Sequence, residues 1–178
     1  DCKWNEIQNQ LFMLGESMGQ RENRDIILGF DTATATDWNT DIYQTLLDAR
    51  KAMKTAGYWP DEMVVGPTAE ALCLAHDKFI HADYLGRAGE TLRTGQIGRL
   101  LGMDVLSCAW VDDLPQEGAK EVIAVIVERN KGVGFALKDD LYIKDYVDVL
   151  AGLEGAVAAI RYDVKIINTA AARQLKAA

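Results

Sequence analysis

The sequence predicts an α+β fold of two lobes, and three observations carry that reading. Apolar residues recur at helical spacing over Trp4–Met18 and again over Ile42–Met53, while VIAVIV (122–127) is a continuous β-branched run. Two long segments of period two, 141–150 and 156–167, stand apart from the mixed middle of the chain. At 178 residues, 49% of them hydrophobic, the chain has enough apolar side chains for a sizeable core.

Taken in order, Trp4, Ile7, Leu11, Leu14 and Met18 step by 3, 4, 3 and 4 and form the narrow stripe of an amphipathic helix over the first ~20 residues. Gly15 and Gly19 weaken its far end, and RENRDIILG reads as a polar corner closed by Gly29. DTATATDWN (31–39) is rich in Thr, Asp and Asn without periodicity, which predicts a loop or hinge between lobes. Asn39 or Thr40 is expected to cap a second helix with Ile42, Leu46, Ala49 and Met53 on its buried face and Gly57 just past its end. Tyr58-Trp59-Pro60-Asp61 predicts a turn, MVV (63–65) a short strand, and Pro67 the first residue of a third helix with Ala69, Leu72 and Cys73 inward. Residues 77–93 read as an irregular loop.

TGQIGRLLGMDVLS (94–107) is the most particular stretch. Gly95, Gly98 and Gly102 alternate with apolar residues, so a tight structural turn is expected to lead into a strand with Met103, Val105 and Ser107 on one face. A left-handed conformation at Gly98 would make Gly98→Val cost more than about 1 kcal/mol. A phosphate loop would need a Lys followed by Ser or Thr after the glycines, where Arg99, Leu100 and Leu101 stand. Asn130–Gly132 predicts a turn and VGFAL (133–137) the returning strand of a hairpin begun by 122–127. Glycines 132 and 134 suit that turn better than a dinucleotide fingerprint, whose third glycine is replaced by Leu137. Gly152 and Gly155 punctuate the turn between the two long strands, and an Ala-rich segment (170–178) ends the chain.

Several chemistries are disfavoured. A net charge of −8 and a pI near 4.8 do not suit a surface that grips nucleic-acid phosphates, so no specific nucleic-acid binding is expected. No apolar run approaches the ~20 residues that span a bilayer, so neither a membrane segment nor a signal peptide is expected. Cys2, Cys73 and Cys108 are odd in number and form no CxxC pair, which suggests neither a disulfide framework nor a zinc site and makes reduced, intracellular folding the expectation. His76 and His81 miss the i, i+4 spacing of a helical metal pair. Cys73 and His76 are close enough on a helix to be weighed as a nucleophile and base, but no third orienting group is evident. No catalytic, cofactor or metal site is expected.

The succession helix, hinge, helix, YWPDEMVVGPTAEALCL, KFIHADYL, LRTGQIGRLLGMDVLSC, RNKGVGFALKDDL and IRYDVKIINTAAARQL resembles the tailed-phage major capsid protein of the Hong Kong ninety-seven fold, related to prophage, archaeal-virus and encapsulin shell proteins. The resemblance covers nearly the whole chain. Its most specific parts are the glycine stretch followed by MDV, the VVGP entry to a helix, and RYDVKI before the Ala-rich end. It implies a peripheral (P) domain of spine helix and hinge over 1–39, an axial (A) domain of mixed sheet with flanking helices over 40–140, and P-domain return strands with a C-terminal tail over 141–178. In this scheme Trp4, Ile7, Leu11, Leu14 and Met18 pack the spine helix. The family's N-terminal arm and E-loop would lie before Asp1, and a start on Asp fits a processed or truncated product.

The function implied is a structural subunit forming hexamers and pentamers of an icosahedral virus head around double-stranded DNA. Its partners would be copies of itself, with scaffold, portal or decoration proteins as possible additions, assembled in the host cytoplasm into the virion. An encapsulin-type nanocompartment shell and an α/β nucleotide-binding enzyme using the 95–102 loop are the alternatives. The isolated chain is expected to be monomeric or weakly associating, with shells requiring residues before Asp1, because the helix stripe is used up by packing within the chain and like subunits of net charge −8 repel.

Overall fold

The computed structural model describes residues 2–37, 41–76, 98–114, 121–148 and 153–177. Helix α1 (Cys2–Leu28) is longer than the sequence suggests: its 27 residues reach about 40 Å at 1.5 Å per residue. Gly15 and Gly19 cost helix propensity but keep their amides, so the helix runs through them and through the expected corner at 21–28. A 3-10 turn, Gly29–Thr32, follows and buries Phe30.

The 31–39 stretch is not simply a hinge. Thr34–Asp37 forms strand β1, paired in parallel with β8 (Ala172–Ala177), and Thr34 Oγ1 donates to the Thr169 carbonyl at 3.1 Å. The cap of α2 (Ile42–Thr55) is Asp41, one residue beyond the expected candidates, its carboxylate accepting the Tyr43 N–H at 2.8 Å. Ile42, Leu46, Ala49 and Met53 are buried at the expected helical spacing. Gly57, at φ 86, ends the helix: its N–H bonds to the Lys54 carbonyl and that of Tyr58 to the Met53 carbonyl, the paired bonds of a Schellman motif.

Strand β2 (Glu62–Val65) leads through Gly66 into α3 (Pro67–Ala75), which buries Ala69 and Cys73. Leu72, expected on that inner face, is 40% exposed. Strands β3 (Arg99–Leu100) and β4 (Met103–Ser107) form a small hairpin, and β5 (Glu121–Val127) is buried on both faces from Val122 onward. The predicted hairpin of 122–127 with 133–137 is absent. β5 is flanked by β2 and β8 instead, and residues from Val133 belong to β6 (Val133–Asp148), which pairs with β7 (Leu153–Ile166) in a separate two-stranded ribbon.

The larger sheet therefore has the order β1-β8-β5-β2-β4-β3, parallel at β1/β8 and β2/β4 and antiparallel at the other pairs. The Ala-rich end, expected to be a tail, supplies β8 within this sheet. A register shift between Val122 and Ala124 turns both Ile123 and Ala124 to the face covered by α2 and α3. The opposite face carries Val122, Val125 and Val127 with Ile27, Phe30, Val111 and Leu114. Two compact units result: residues 1–26 with 135–164, and residues 27–134 with 165–178. In the first, Tyr162 Oη donates to Asp25 at 2.7 Å, Phe135 stacks on Tyr162, and Arg161 pairs with Asp139 at 3.3 Å.

Candidate functional site

The residues singled out in the sequence fall at different places in the fold. Of the three glycines, Gly95 lies outside the described residues. Gly98 is exposed just before β3, lies outside the left-handed region, and accepts the Val105 N–H at 3.1 Å through its carbonyl. The left-handed positions are instead Leu101 (φ 50) and Gly102 (φ 83), the two-residue link between β3 and β4 that this type of tight hairpin requires. Arg99 and Asp104 face each other across it at 3.4 Å. Of the helix stripe, the side chains of Trp4, Ile7 and Leu11 lie outside the described residues, and Leu14 and Met18 are half-buried.

Cys73 and His76 do not form a reactive pair. Cys73 is fully buried, and burial, with Glu70 adding to it, pushes its thiol up to about 12. Helix α3 ends at Ala75, so His76 turns into extended backbone and its Nε2 meets Asp41 Oδ1 at 3.0 Å. His81 lies outside the described residues, and among the described residues no group of three His, Cys, Asp or Glu could hold a metal ion. Among the described residues no helix is long and apolar enough to cross a membrane.

Polar chemistry concentrates at three places in the second unit. The turn after β5 is locked to the segment before β8. Glu128 accepts the Trp59 N–H at 2.9 Å and pairs with Lys131, which holds its carboxyl below the usual range. The Glu128 N–H reaches the Ala171 carbonyl, Ile167 N–H reaches the Gly132 carbonyl at 3.0 Å, and Asn168 Nδ2 donates to Tyr58 Oη. Arg129 binds Glu62 through its side chain and Asp61 through its N–H at 2.7 Å.

A basic groove of about 430 Å³ runs along α2, lined by Leu47, Arg50, Lys51, Lys54 and Thr55. Lys54 also lies over the Trp59 ring, 4.6 Å from its centre. The groove sits beside the start of β4, since a Cβ on Gly102 would come within 3.4 Å of Arg50 Nη2. At the opposite end of the β2/β4 pair stands an acidic corner. Glu70 accepts the Ser107 hydroxyl at 2.6 Å, and Asp112 accepts that of Thr68 at 3.2 Å. Asp112 presses so closely on Gly66 that a Cβ there would lie 1.9 Å from its Oδ1. Neither feature is evident from sequence motifs, although Arg50, Lys51 and Lys54 at i, i+1 and i+4 do place three cations on one helical side.

No family model matches the sequence, and no curated protein sequence does. Solved structures do match in fold. The capsid of the Cyanophage P-SCSP1u superposes with a TM-score of 0.75 at 13% identity over 96% of this chain and 65% of that one. The mature capsid of bacteriophage PhiM1 gives 0.75 at 14% identity over 98% of this chain and 64% of that one. The holo-SrpI encapsulin complex from Synechococcus elongatus PCC 7942 gives 0.60 at 14% identity over 95% and 64%. The chain spans just under two thirds of the length of each of these proteins. With its α+β build of helices on a mixed sheet and a separate strand ribbon, this chain has the Hong Kong ninety-seven capsid fold that its sequence resembles.

Proposed function

We propose that the chain is a structural shell subunit, the core of a major capsid protein that associates with copies of itself into hexamers and pentamers of an icosahedral head enclosing double-stranded DNA. The observation that carries this reading is the superposition on two phage capsid chains over 96% and 98% of its length, both at a TM-score of 0.75. Function is assigned here from fold, and the residues agree with it: Leu101 and Gly102 form a hairpin link, Arg99 pairs with Asp104, and the thiol of Cys73, three residues before His76, is buried and protonated. In this reading residues 27–134 and 165–178 correspond to the axial domain and residues 1–26 and 135–164 to the peripheral domain, with limits at the compact-unit boundaries rather than at 39/40 and 140/141. The chain acts without catalysis, in the virion, and confinement rather than adhesion holds DNA beside an acidic surface. Scaffold, portal or decoration proteins would meet it during assembly.

An encapsulin-type shell is the second reading, favoured by the encapsulin superposition at a TM-score of 0.60. Particles isolated from the native source separate the two. Nuclease-resistant double-stranded DNA inside them is expected; an enclosed enzyme without DNA would assign the chain to a nanocompartment, and absence of the chain from any particle would refute both.

A further inference from the structure

Helix α2 gathers three cations within about one turn in a protein of net charge −8: Arg50, Lys51 and Lys54 line its groove with Leu47 and Thr55. Residues three and four apart on a helix hold their Cβ atoms roughly 5–6 Å apart, so like charges placed there repel. The helix dipole accounts for Lys54 in the last turn, but its effect falls off within that turn and leaves Arg50 and Lys51 unexplained. The helix's one acidic residue, Asp48, accepts from Gln44 Nε2 at 3.2 Å, and among the described residues no carboxylate pairs with the Arg50 or Lys51 side chain. Arg50 is anchored beside Gly102 by burial of its Nε, so its terminal nitrogens are what it presents to the groove.

We propose that this groove is a binding site for a compact polyphosphate anion, whose oxygens accept from Lys51, Lys54 and the terminal nitrogens of Arg50. Three positive charges this close match a ligand that carries several negative charges in a small volume, as a triphosphate does and a single carboxylate does not. A guanidinium fork beside ammonium groups supplies the donors that phosphate recognition uses. The charge of the rest of the chain selects the kind of phosphate. A free polyphosphate, inorganic or the tail of a nucleotide, fits within a groove of about 430 Å³, whereas a nucleic-acid strand carries one charge per phosphate and would have to run on across an acidic protein. Lys54 gives the site a reporter: its Nζ lies 4.6 Å from the centre of the Trp59 ring, which is 65% exposed, so a phosphate that draws Lys54 off the ring changes the surroundings of the indole. The site is independent of the shell reading.

Calorimetric titration of the whole chain with sodium triphosphate at low salt tests it. Saturable binding at one site per chain is expected, weakening as salt rises. It should come with a change in tryptophan emission that Trp59→Phe abolishes while the heat of binding remains. K51Q/K54Q keeps good helix formers in α2 and should weaken binding by about tenfold or more. K138Q/K144Q removes two charges from exposed positions of β6 instead and should leave binding unchanged. A thymidine oligonucleotide, which offers only phosphodiesters, should bind more weakly than triphosphate. Adenosine triphosphate titrated in parallel distinguishes the source: tighter binding than the bare chain of phosphates supports a nucleotide, and weaker binding supports inorganic polyphosphate. No saturable binding by the folded chain, equal binding by K51Q/K54Q, an equal loss in K138Q/K144Q, or saturation without a response from Trp59 would each overturn the inference. Oligonucleotide binding as tight as that of triphosphate would overturn it too, by making the groove a nucleic-acid contact. If K51Q/K54Q loses its melting transition, K51Q alone takes its place, with a loss of binding still required.

Discussion

Cys73 and Glu128 are both buried, yet their chemistry shifts in opposite directions: burial dominates at Cys73, and the paired Lys131 overrides it at Glu128. The Cys73 thiol, raised to about 12 by burial first and by Glu70 second, keeps its proton at neutral pH. At pH 8 the native chain is therefore expected to leave Cys73 unmodified by a thiol-specific disulfide reagent, and denaturant should expose it; peptide mapping of a native sample labelled at Cys73 within minutes would contradict its placement. Glu128 is 8% exposed yet keeps a depressed value, because Lys131 and the Trp59 N–H both stabilise its charge. A carboxyl lowered on folding contributes stability that is fully present above the unfolded value of about 4.3 and is lost as pH falls through the folded value below it. The Tm difference between the wild-type chain and Glu128→Gln should then be largest near pH 7 and shrink towards pH 3. A difference that stays constant across that range would remove the ionic role.

Among the elements, what the sequence made legible is what local rules control. The face of α2 follows from the spacing of Ile42, Leu46, Ala49 and Met53, its end from Gly57, and the burial of β5 from VIAVIV. Less legible were β1 and β8, because TATD and ARQLKA hold few β-branched apolar residues and become strands by pairing with each other and, for β8, with β5. The expected hairpin after β5 failed for the same reason: adjacency in sequence favoured Val133–Leu137, but β8 occupies that side of β5 and the chain leaves the sheet at Gly132. Two glycines separate local conformation from mere sequence appearance. Gly57→Ala should cost about 1 kcal/mol through its left-handed φ, whereas Gly98→Val, at an exposed position where a Cβ meets nothing, should stay within about 0.5 kcal/mol. Chemical denaturation of both variants checks this, and a larger loss for Gly98→Val would restore the strained turn expected from the sequence.

At the scale of the whole molecule, the larger sheet is assembled from distant parts of the chain, and its C-terminal strand ties them together. Leu175 is 1% exposed and lies in the core with Leu46, Met63 and Ile126. Leu175→Ala should cost about 2–5 kcal/mol by transfer and cavity terms, measured by the shift of its denaturation midpoint; a near-zero change would mean that the end of the chain is the tail its composition suggests. The two charged features of the second unit were hidden from sequence for a related reason. Arg50, Lys51 and Lys54 are adjacent on one helix, but Glu70 and Asp112 come together only when β2 and β4 align and Gly66 admits the carboxylate. The most direct test of the central claim is cryo-electron microscopy of the whole natural polypeptide purified as particles. The shell reading requires closed icosahedral shells in which the six-stranded unit surrounds the fivefold and sixfold positions; a polypeptide that forms no closed particles, or shells whose density does not admit that unit, would contradict it.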